Sequence, residues 1–211
     1  MSNSTDDPMR FYHINRRSFW NKQFKFYKQG EIIVTSEELN PFYSRLHNED
    51  FRVTGPSYSL SQIEYLTVLQ SPSNLSTSDI SAYAATCQKC VLHNFKLIRE
   101  TCFESIRSTC YSDRPSRLRC LWFSGSPEDA TVWEGKLSER NSYQLLEVEI
   151  VNGKLLRTDE SWLNYQGQSL KILEELAHKY WQGVSMGHGT NEILYEGSVK
   201  IVSIIKELNS N

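Results

Sequence analysis

Apolar residues that recur every three or four positions predict one long helix in the middle of the chain, from Asp79 to Thr109. Ser76 and Asp79 have the spacing of a capping box, which indicates where this helix begins. The apolar face of the predicted helix consists of Ile80, Tyr83, Ala84, Cys87, Val91, Phe95, Ile98, Cys102 and Ile106. This pattern is typical of an amphipathic helix with one buried face.

Three shorter helices are also predicted, over Ser59–Leu69, Ser126–Leu137 and Ser169–Trp181. The second has strong start signals, because a serine can cap it, Pro127 suits the first helical position and two acids follow. The third is amphipathic and ends before Gly183, a residue that suits a helix C-terminus. The buried stripe expected for the second helix is Ala130, Trp133 and Leu137.

Short apolar or alternating segments predict strands near both ends of the chain. They are Arg10–Asn15, Glu31–Val34, Leu118–Phe123, Tyr143–Val151, Glu192–Tyr195 and Val199–Ile205. Turns are predicted at Asn152–Gly153 and at Glu196–Ser198, and Pro41 after Asn40 is expected to stop any helix there. Ser18–Tyr27 is compatible with a helix or with an extended segment. Strands at both ends with helices between them indicate an α+β fold rather than a regular βαβ alternation.

Composition is that of a globular chain, with 39% hydrophobic and 23% charged residues, and 211 residues suit one domain over 1–211. The formal net charge of −2 argues against a generally basic nucleic-acid binder. Charge is nevertheless uneven, because positions 1–30 hold six basic residues against two acids and positions 87–119 hold seven against three. These two basic segments are either solvated faces or contacts for an acidic partner.

Location is expected to be cytoplasmic. The first residues are polar and acidic with no apolar run behind them, so no signal peptide is predicted. No stretch approaches the roughly 20 apolar residues that a membrane span needs, and no membrane partner is expected. Five cysteines are an odd number in a chain too long for a disulfide scaffold, which favours a reducing compartment.

The cysteines also raise the question of a metal site. Cys87 and Cys90 are followed by His93, Cys102 and Cys110, a set of residue types that bind zinc. However, Cys87 and Cys102 belong to the apolar stripe of the long predicted helix, whereas zinc sites usually place such a pair in a turn. Packing in the core is the favoured interpretation, with zinc as the alternative, and no metal is predicted.

Most common enzyme motifs are missing from the sequence. There is no phosphate-binding glycine loop of the G-x-x-x-x-G-K-[ST] or G-x-G-x-x-G type. There is also no G-x-S-x-G nucleophile elbow and no H-E-x-x-H zinc motif. Any catalytic site must therefore be built from residues that lie far apart in the sequence.

Three separate segments carry candidate site residues. His13 lies in a short predicted strand, FYHIN, near the start of the chain. Trp122 and Ser124 lie at the end of a predicted strand that runs directly into a helix, LWFSGSPEDATVW. Glu192 opens an apolar strand near the end of the chain, NEILYEGSVKIVSI. Taken singly, each of these residues is more often structural than functional.

In this order, the three segments resemble the His–aromatic–Glu layout of the ADP-ribosyltransferase superfamily, including uncharacterised bacterial toxin and antiphage families. The resemblance implies an ADP-ribosyltransferase-like core, a split mixed or antiparallel β-sheet, with a helical insertion at about 58–114. Ala130 stands where an alanine packs behind the site in that family. Trp122 stands where the best-known branches have Tyr, and Thr190 stands where the arginine-modifying branch has an acid or amide. Arginine is therefore not favoured as the acceptor.

The resemblance also implies a role for each matching residue. Glu192 would be the catalytic carboxylate, which stabilises the positive charge that grows on the ribose when nicotinamide leaves. His13 would hydrogen-bond a ribose hydroxyl, and the main chain around Ile14 would hold the nicotinamide amide. Trp122, or Tyr12 as the alternative, would stack on the nicotinamide ring. Candidate helpers are Arg10, Asn15, Arg16 and Ser124.

Glu196 is the alternative catalytic carboxylate. It follows Glu192 by four positions, and an even offset places both on the same face of a strand. Glu192 is favoured because apolar strand positions follow it, whereas Glu196 is expected at a turn.

The resemblance as a whole implies an NAD-dependent mono-ADP-ribosyltransferase, a bacterial toxin or antiphage effector that consumes NAD as a substrate. Its acceptor would be a macromolecule, with nucleic acid slightly favoured over protein because of the two basic segments. A toxin would have an antitoxin as a partner. Two alternatives stay open: an NAD glycohydrolase that uses the same site with water as acceptor, and a non-enzymatic interaction module in which the same residues are structural.

Overall fold

A computed structural model describes residues 9–17, 24–70, 77–137, 142–187 and 191–209 of the chain. The strands are β1 (Arg10–Arg16), β2 (Ile32–Val34), β3 (Arg52–Gly55), β4 (Tyr58–Ser61), β5 (Leu121–Phe123), β6 (Tyr143–Asp159) and β7 (Asn191–Leu208). The helices are α1 (Pro41–Asn48), α2 (Gln62–Leu69), α3 (Thr77–Cys110), α4 (Pro127–Leu137), α5 (Leu170–Trp181) and a 3₁₀ turn (Glu160–Leu163). The predicted α+β class is therefore confirmed.

The main sheet is built around β6 and β7, which pair along almost their whole length. β1 pairs with the free edge of β6, and both β2 and β5 pair with the free edge of β7. All these pairs are antiparallel, so the main sheet is antiparallel rather than mixed among the described strands. The backbones of Tyr12 and Ser124 exchange two hydrogen bonds, of 3.0 and 2.8 Å, which join β1 to the end of β5.

The two faces of β7 are covered by different groups of side chains. Ile193 and Tyr195 point into a core with Phe11, Phe123 and residues of β6. Leu194 points the other way, into a core formed with α3 and α5. Because side chains alternate along a strand, Glu192 shares the face of Leu194 and is directed towards these two helices.

Helix α5 is held against the sheet by its apolar face, as its spacing predicts. Ser169 caps the helix by accepting a hydrogen bond from the Ile172 amide, and Gly183 follows its end with a φ of +72°. The side chains of Leu173, Ala177, Tyr180 and Trp181 are fully buried. The indole of Trp181 donates a hydrogen bond to the carbonyl of Phe103 on α3, which ties the two helices together.

The prediction of turns inside the two long strands is wrong. Asn152–Gly153 and Glu196–Ser198 lie within β6 and β7, and Gly153 pairs directly with Gly197. Both glycines have φ near +150°, a conformation that other residues rarely adopt. A Cβ on Gly197 would lie 2.2 Å from the Asn152 carbonyl oxygen and 2.7 Å from the Tyr195 hydroxyl. Gly153 and Gly197 do not form hairpins but allow β6 and β7 to approach closely next to the Tyr195 hydroxyl.

Two further expectations are corrected at helix starts. Pro41 does not stop a helix but begins α1, because proline suits the first turn and Asn40 caps it by accepting a hydrogen bond from the Tyr43 amide. The helix expected over Ser59–Leu69 is divided into β4 and α2, since Ser61 forms a capping box with Glu64.

The other predicted elements are confirmed with small changes of boundary. Helices α3, α4 and α5 lie where the apolar spacing predicts them, and Ala130 is fully buried whereas Trp133 and Leu137 are half-buried. Only the last three residues of the strand predicted at Leu118–Phe123 form a strand. Ser76 and positions 18–23 lie outside the described residues, and positions 24–28 form neither helix nor strand.

The segment expected as a helical insertion, about 58–114, contains α2 and α3. It begins with a strand, β4, which pairs with β3 outside the segment.

The cysteines are spread over different environments, and Cys90 is buried against Val53 and Tyr65 in a small core. Cys120 is also buried, Cys87 and Cys102 are half-buried and Cys110 is exposed. In the described parts of the chain, no three His, Cys, Asp or Glu side chains form a group able to hold a metal ion.

None of the described helices is both long enough and apolar enough to cross a membrane.

We expect Gly197→Ala to lower the free energy of unfolding by about 2 kcal/mol or more, because the new Cβ would meet backbone atoms of β6 at an unfavourable φ. Urea denaturation followed by circular dichroism would measure this loss. Gly135→Ala is a matched control, since no atom lies within 4 Å of the added Cβ in α4. A gain of up to about 1 kcal/mol is expected for the control. Equal stability of the two variants would contradict the role given to Gly197.

Candidate functional site

A cavity of about 490 Å³ opens where β1, β5 and the start of β7 meet the segment before α1. Its volume lies within the usual range for small-molecule sites, about 300–1,000 Å³. Three segments that are far apart in sequence meet at its wall. All seven residues predicted for the site line it: Tyr12, His13, Ile14, Asn15, Trp122, Ser124 and Glu192.

His13 is fixed by the backbone of β5. Its Nδ1 atom lies 3.0 Å from the carbonyl oxygen of Trp122, and because a carbonyl can only accept, Nδ1 carries the proton. Burial lowers the pKa of His13, although this hydrogen bond acts in the opposite direction. The ring is therefore neutral near pH 7, and its Nε2 atom is left as a hydrogen-bond acceptor.

Trp122 forms an aromatic corner of the cavity with Phe42 of α1. The two ring centroids are 6.4 Å apart and the ring planes are nearly perpendicular, at 84°. Phe42 is exposed to 37% although it lines the cavity, and the helix that carries it is held in place by Asn40. The Asn40 side chain donates hydrogen bonds to the carbonyls of Arg117 and Cys120. Two rings at a cavity wall suit a flat ligand.

Other predicted residues lie at the cavity but also serve the fold. Asn15 Nδ2 donates to the carbonyl of Lys25 at 2.9 Å and to Gln144 at 3.2 Å, so both of its protons are used. Tyr12 and Ser124 hold β1 to β5 through their backbones. The side chain of Arg16 donates to the carbonyl of Leu137 at the end of α4.

Glu192 presents a buried carboxylate at the cavity wall, with a residue exposure of 8%. Its Oε2 atom accepts hydrogen bonds from Arg117 Nη1 at 2.8 Å and from the Tyr180 hydroxyl at 2.5 Å. No described residue donates a hydrogen bond to the other oxygen, Oε1, and Oε1 is not an enclosed unpaired atom. One oxygen of the carboxylate is thus held by the protein, and the other is available to a ligand.

Behind Glu192 lies a chain of alternating charges, Arg99–Glu100–Arg117–Glu192, which we call the buried charge network. Arg117 Nε donates to Glu100 at 3.0 Å, and Arg99 donates to the second oxygen of Glu100 at 2.5 and 2.9 Å. Burial alone would raise the pKa of Glu100, but Arg117 and Arg99 hold it below its usual value. Burial would lower the pKa of Arg117, but Glu100 and Glu192 hold it well above its usual value. Glu100 and Arg117 therefore stay ionised.

Glu196, the alternative carboxylate, is differently placed. One of its oxygens accepts a hydrogen bond of 2.8 Å from the backbone amide of Ser116, and the other lies 3.9 Å from Arg119. Glu196 does not line the described cavity, whereas Glu192 does. Of the two acids, Glu192 is the one that a ligand in this cavity could reach.

Sequence reasoning missed the partners of Glu192. The sequence predicts only that Arg117 belongs to a basic segment and that Tyr180 belongs to an amphipathic helix. No local signal identifies either residue, because each acts through a contact with a strand more than ten positions away. No local signal identifies Phe42 or Glu100 either, because Phe42 contacts Trp122 and Glu100 pairs with Arg117, and both partners lie far away in the sequence.

The second basic segment, 87–119, is mostly neutralised within the fold. Its arginines pair with acids of the same chain: Arg99 with Glu100, Arg107 with Glu104, Arg117 with Glu100 and Glu192, and Arg119 with Glu37. In the first segment, Arg10 lies 3.2 Å from Glu149 and Lys25 lies 3.4 Å from Glu31. An excess of arginine in the sequence is therefore a poor guide to the surface charge here.

The chain belongs to the protein family described as "Protein of unknown function (DUF2441)", whose sequence model matches residues 11–207. That match includes His13, Trp122 and Glu192 and hence all three segments of the cavity. No curated protein matches the chain.

We expect the His13 ring to titrate below about pH 6.5, the usual histidine value, because burial opposes its charged form. The unfolded chain then binds the proton more readily. The stability contribution of neutral His13 is therefore complete above about pH 6.5 and is lost as the pH falls through the folded pKa.

Two-dimensional NMR of the imidazole signals against pH would test this, with His13→Gln to assign the His13 resonance. A midpoint at or above about pH 6.5 would show that His13 is not held neutral by its surroundings.

Proposed function

We propose that this protein is an NAD-dependent mono-ADP-ribosyltransferase that binds NAD in the cavity and uses Glu192 as its catalytic carboxylate. The observation that carries the proposal is the meeting of His13, Trp122 and Glu192 at one cavity, where one oxygen of Glu192 has no hydrogen-bond partner among the described residues. These residues come from three distant segments, and a purely structural role for each does not require them to share a cavity.

The proposed reaction breaks the bond between C1′ of the ribose and the nicotinamide nitrogen. Nicotinamide leaves with the electron pair as a neutral molecule, and positive charge grows on the ribose. The Oε1 atom of Glu192 accepts a hydrogen bond from a ribose hydroxyl and stabilises this charge in a site with little water. The acceptor then bonds to C1′ and gives up its proton, which Glu192 is placed to take.

Other cavity residues fit the rest of the NAD molecule. The neutral His13 ring offers Nε2 as an acceptor for a second ribose hydroxyl, and Trp122 offers an aromatic face for the cationic nicotinamide. Arg16 and Arg119 also line the cavity, and guanidinium groups bind the oxygens of phosphates well. The main chain around Ile14 would hold the nicotinamide amide.

The order of elements supports the same proposal at the level of the fold. β1 carries the His, β5 runs through Ser124 towards α4, and Glu192 is the second residue of β7, an order that resembles an ADP-ribosyltransferase-like core. In this proposal α2 and α3, within about 58–114, are the family's own addition to that core. The domain would extend over 1–211.

We further propose that the protein acts in the bacterial cytoplasm as a toxin or antiphage effector, with an antitoxin as its partner. The acceptor is a nucleic acid or a protein. The two basic segments of the sequence favour nucleic acid, but the pairing of the arginines in 87–119 with acids weakens this preference. Labelling of separate acceptor pools distinguishes the two classes.

The test uses NAD labelled in its adenosine part, incubated with the purified protein and separate pools of bacterial protein, DNA and RNA. Wild type is expected to label one pool, and Glu192→Gln is expected to lose about 10²-fold or more of this activity. Glu196→Gln is the matched control and should keep the activity of the wild type, because Glu196 does not line the cavity.

Each outcome has a defined meaning when circular dichroism shows that the variants are folded. Free ADP-ribose without labelled macromolecule would identify a glycohydrolase at the same site. No NAD turnover by the folded wild type would overturn the proposal in favour of an interaction module. An equal loss of labelling activity in Glu192→Gln and Glu196→Gln would contradict the catalytic role proposed for Glu192.

A further inference from the structure

Arg117 holds two carboxylates through different atoms of one guanidinium group. Nη1 donates to Glu192 at 2.8 Å, and Nε donates to Glu100 at 3.0 Å. All three side chains are almost completely buried, with exposures of 6%, 9% and 3% for Arg117, Glu192 and Glu100. Because the guanidinium is planar and rigid, the position of Glu100 sets the direction from which Arg117 approaches Glu192.

Each carboxylate also accepts a hydrogen bond from a tyrosine. Tyr180 of α5 donates to Glu192, and Tyr43 of α1 donates to Glu100. Burial raises the pKa of both phenols well above the usual value, so both hydroxyls keep their protons and act as donors. Glu192 Oε2 is therefore held by Tyr180 from α5 and by Arg117 from the segment before β5.

One polar atom of the buried charge network, Glu192 Oε1, is left without a hydrogen-bond partner among the described residues. It is not an enclosed unpaired atom, and Glu192 lines the cavity. This acceptor suits a ligand group that donates, such as a hydroxyl of a ribose.

We propose that Arg117 is a positioning residue for Glu192, and that Glu100 on α3 keeps Arg117 in the orientation that leaves Glu192 Oε1 to the substrate. This inference rests on the proposed function, since it concerns the same carboxylate. It also gives α3 a task at the site, although α3 lies outside the segments that resemble the ADP-ribosyltransferases.

The need for Glu100 follows from the charges. With Glu100 neutral, Arg117 would have Glu192 as its only ionised partner in the buried charge network. A guanidinium readily binds both oxygens of one carboxylate, and such a bidentate pair would occupy Oε1. The substrate would then lose its hydrogen bond in the transition state, while most of its binding contacts would be kept.

The test is steady-state kinetics of NAD turnover by the full-length protein. We expect Glu100→Gln to lower kcat by about 10- to 100-fold with little change in KM for NAD, because it displaces a catalytic group and leaves the rest of the cavity intact. Arg117→Lys should show a similar loss, since lysine keeps the charge but lacks the rigid fork.

Glu104→Gln is the matched control. Glu104 lies one turn along the same helix and pairs with Arg107 at 2.8 Å, but it makes no hydrogen bond to Arg117. Its kcat should stay within about 3-fold of the wild type. Circular dichroism and thermal unfolding of each variant separate loss of structure from loss of positioning.

The kinetics of these variants test the positioning role separately from the proposed transferase activity, which the wild type tests. A folded Glu100→Gln protein with the kcat of an active wild type would overturn the positioning role and leave the proposed function intact. An equal loss of kcat in Glu104→Gln would show a general effect of charge removal from α3 and would also overturn it. An inactive wild type overturns the proposed function and this inference together.

Discussion

The antiparallel pairing of β6 with β7 is the contact on which the other elements depend. The free edge of β6 receives β1, and the free edge of β7 receives β5 and β2. Each candidate residue therefore takes its position from this one ladder: His13 through β1, Trp122 through β5 and Glu192 through β7 itself. Backbone hydrogen bonds along a ladder fix register closely, because a slip of one residue would turn every side chain to the opposite face.

A second constraint is the cost of keeping charges away from water. Isolated buried charges are unfavourable, and a buried ion pair is tolerated only with good geometry and further hydrogen bonds. The buried charge network meets this condition because its arginines and glutamates pair with one another and two tyrosine hydroxyls donate to the glutamates. The network residues and these two tyrosines come from α1, α3, α5, β7 and the segment before β5. The network therefore links helices on one side of the sheet to the cavity.

The cavity combines polar groups that the protein holds in place with polar atoms that it leaves to a ligand. A carboxylate held at one oxygen keeps its direction and retains an acceptor for a ligand. A neutral His13 held through Nδ1 likewise retains Nε2. Groups that are oriented before a ligand arrives need little rearrangement when the ligand binds. The residues behind Glu192 and His13 provide this orientation.

The sequence by itself determined the α+β class and the positions of α3, α4 and α5, because these depend on local periodicity and capping. The order of its segments also predicted seven of the residues that line the cavity. It misplaced turns at Gly153 and Gly197, since a glycine that permits close strand contact has the same local pattern as one that forms a hairpin. Only the tertiary structure shows that Glu192 lines the cavity whereas Glu196 does not, and that Arg117 contacts Glu192. Both facts depend on which distant side chains share one buried space, and neither spacing nor composition encodes that.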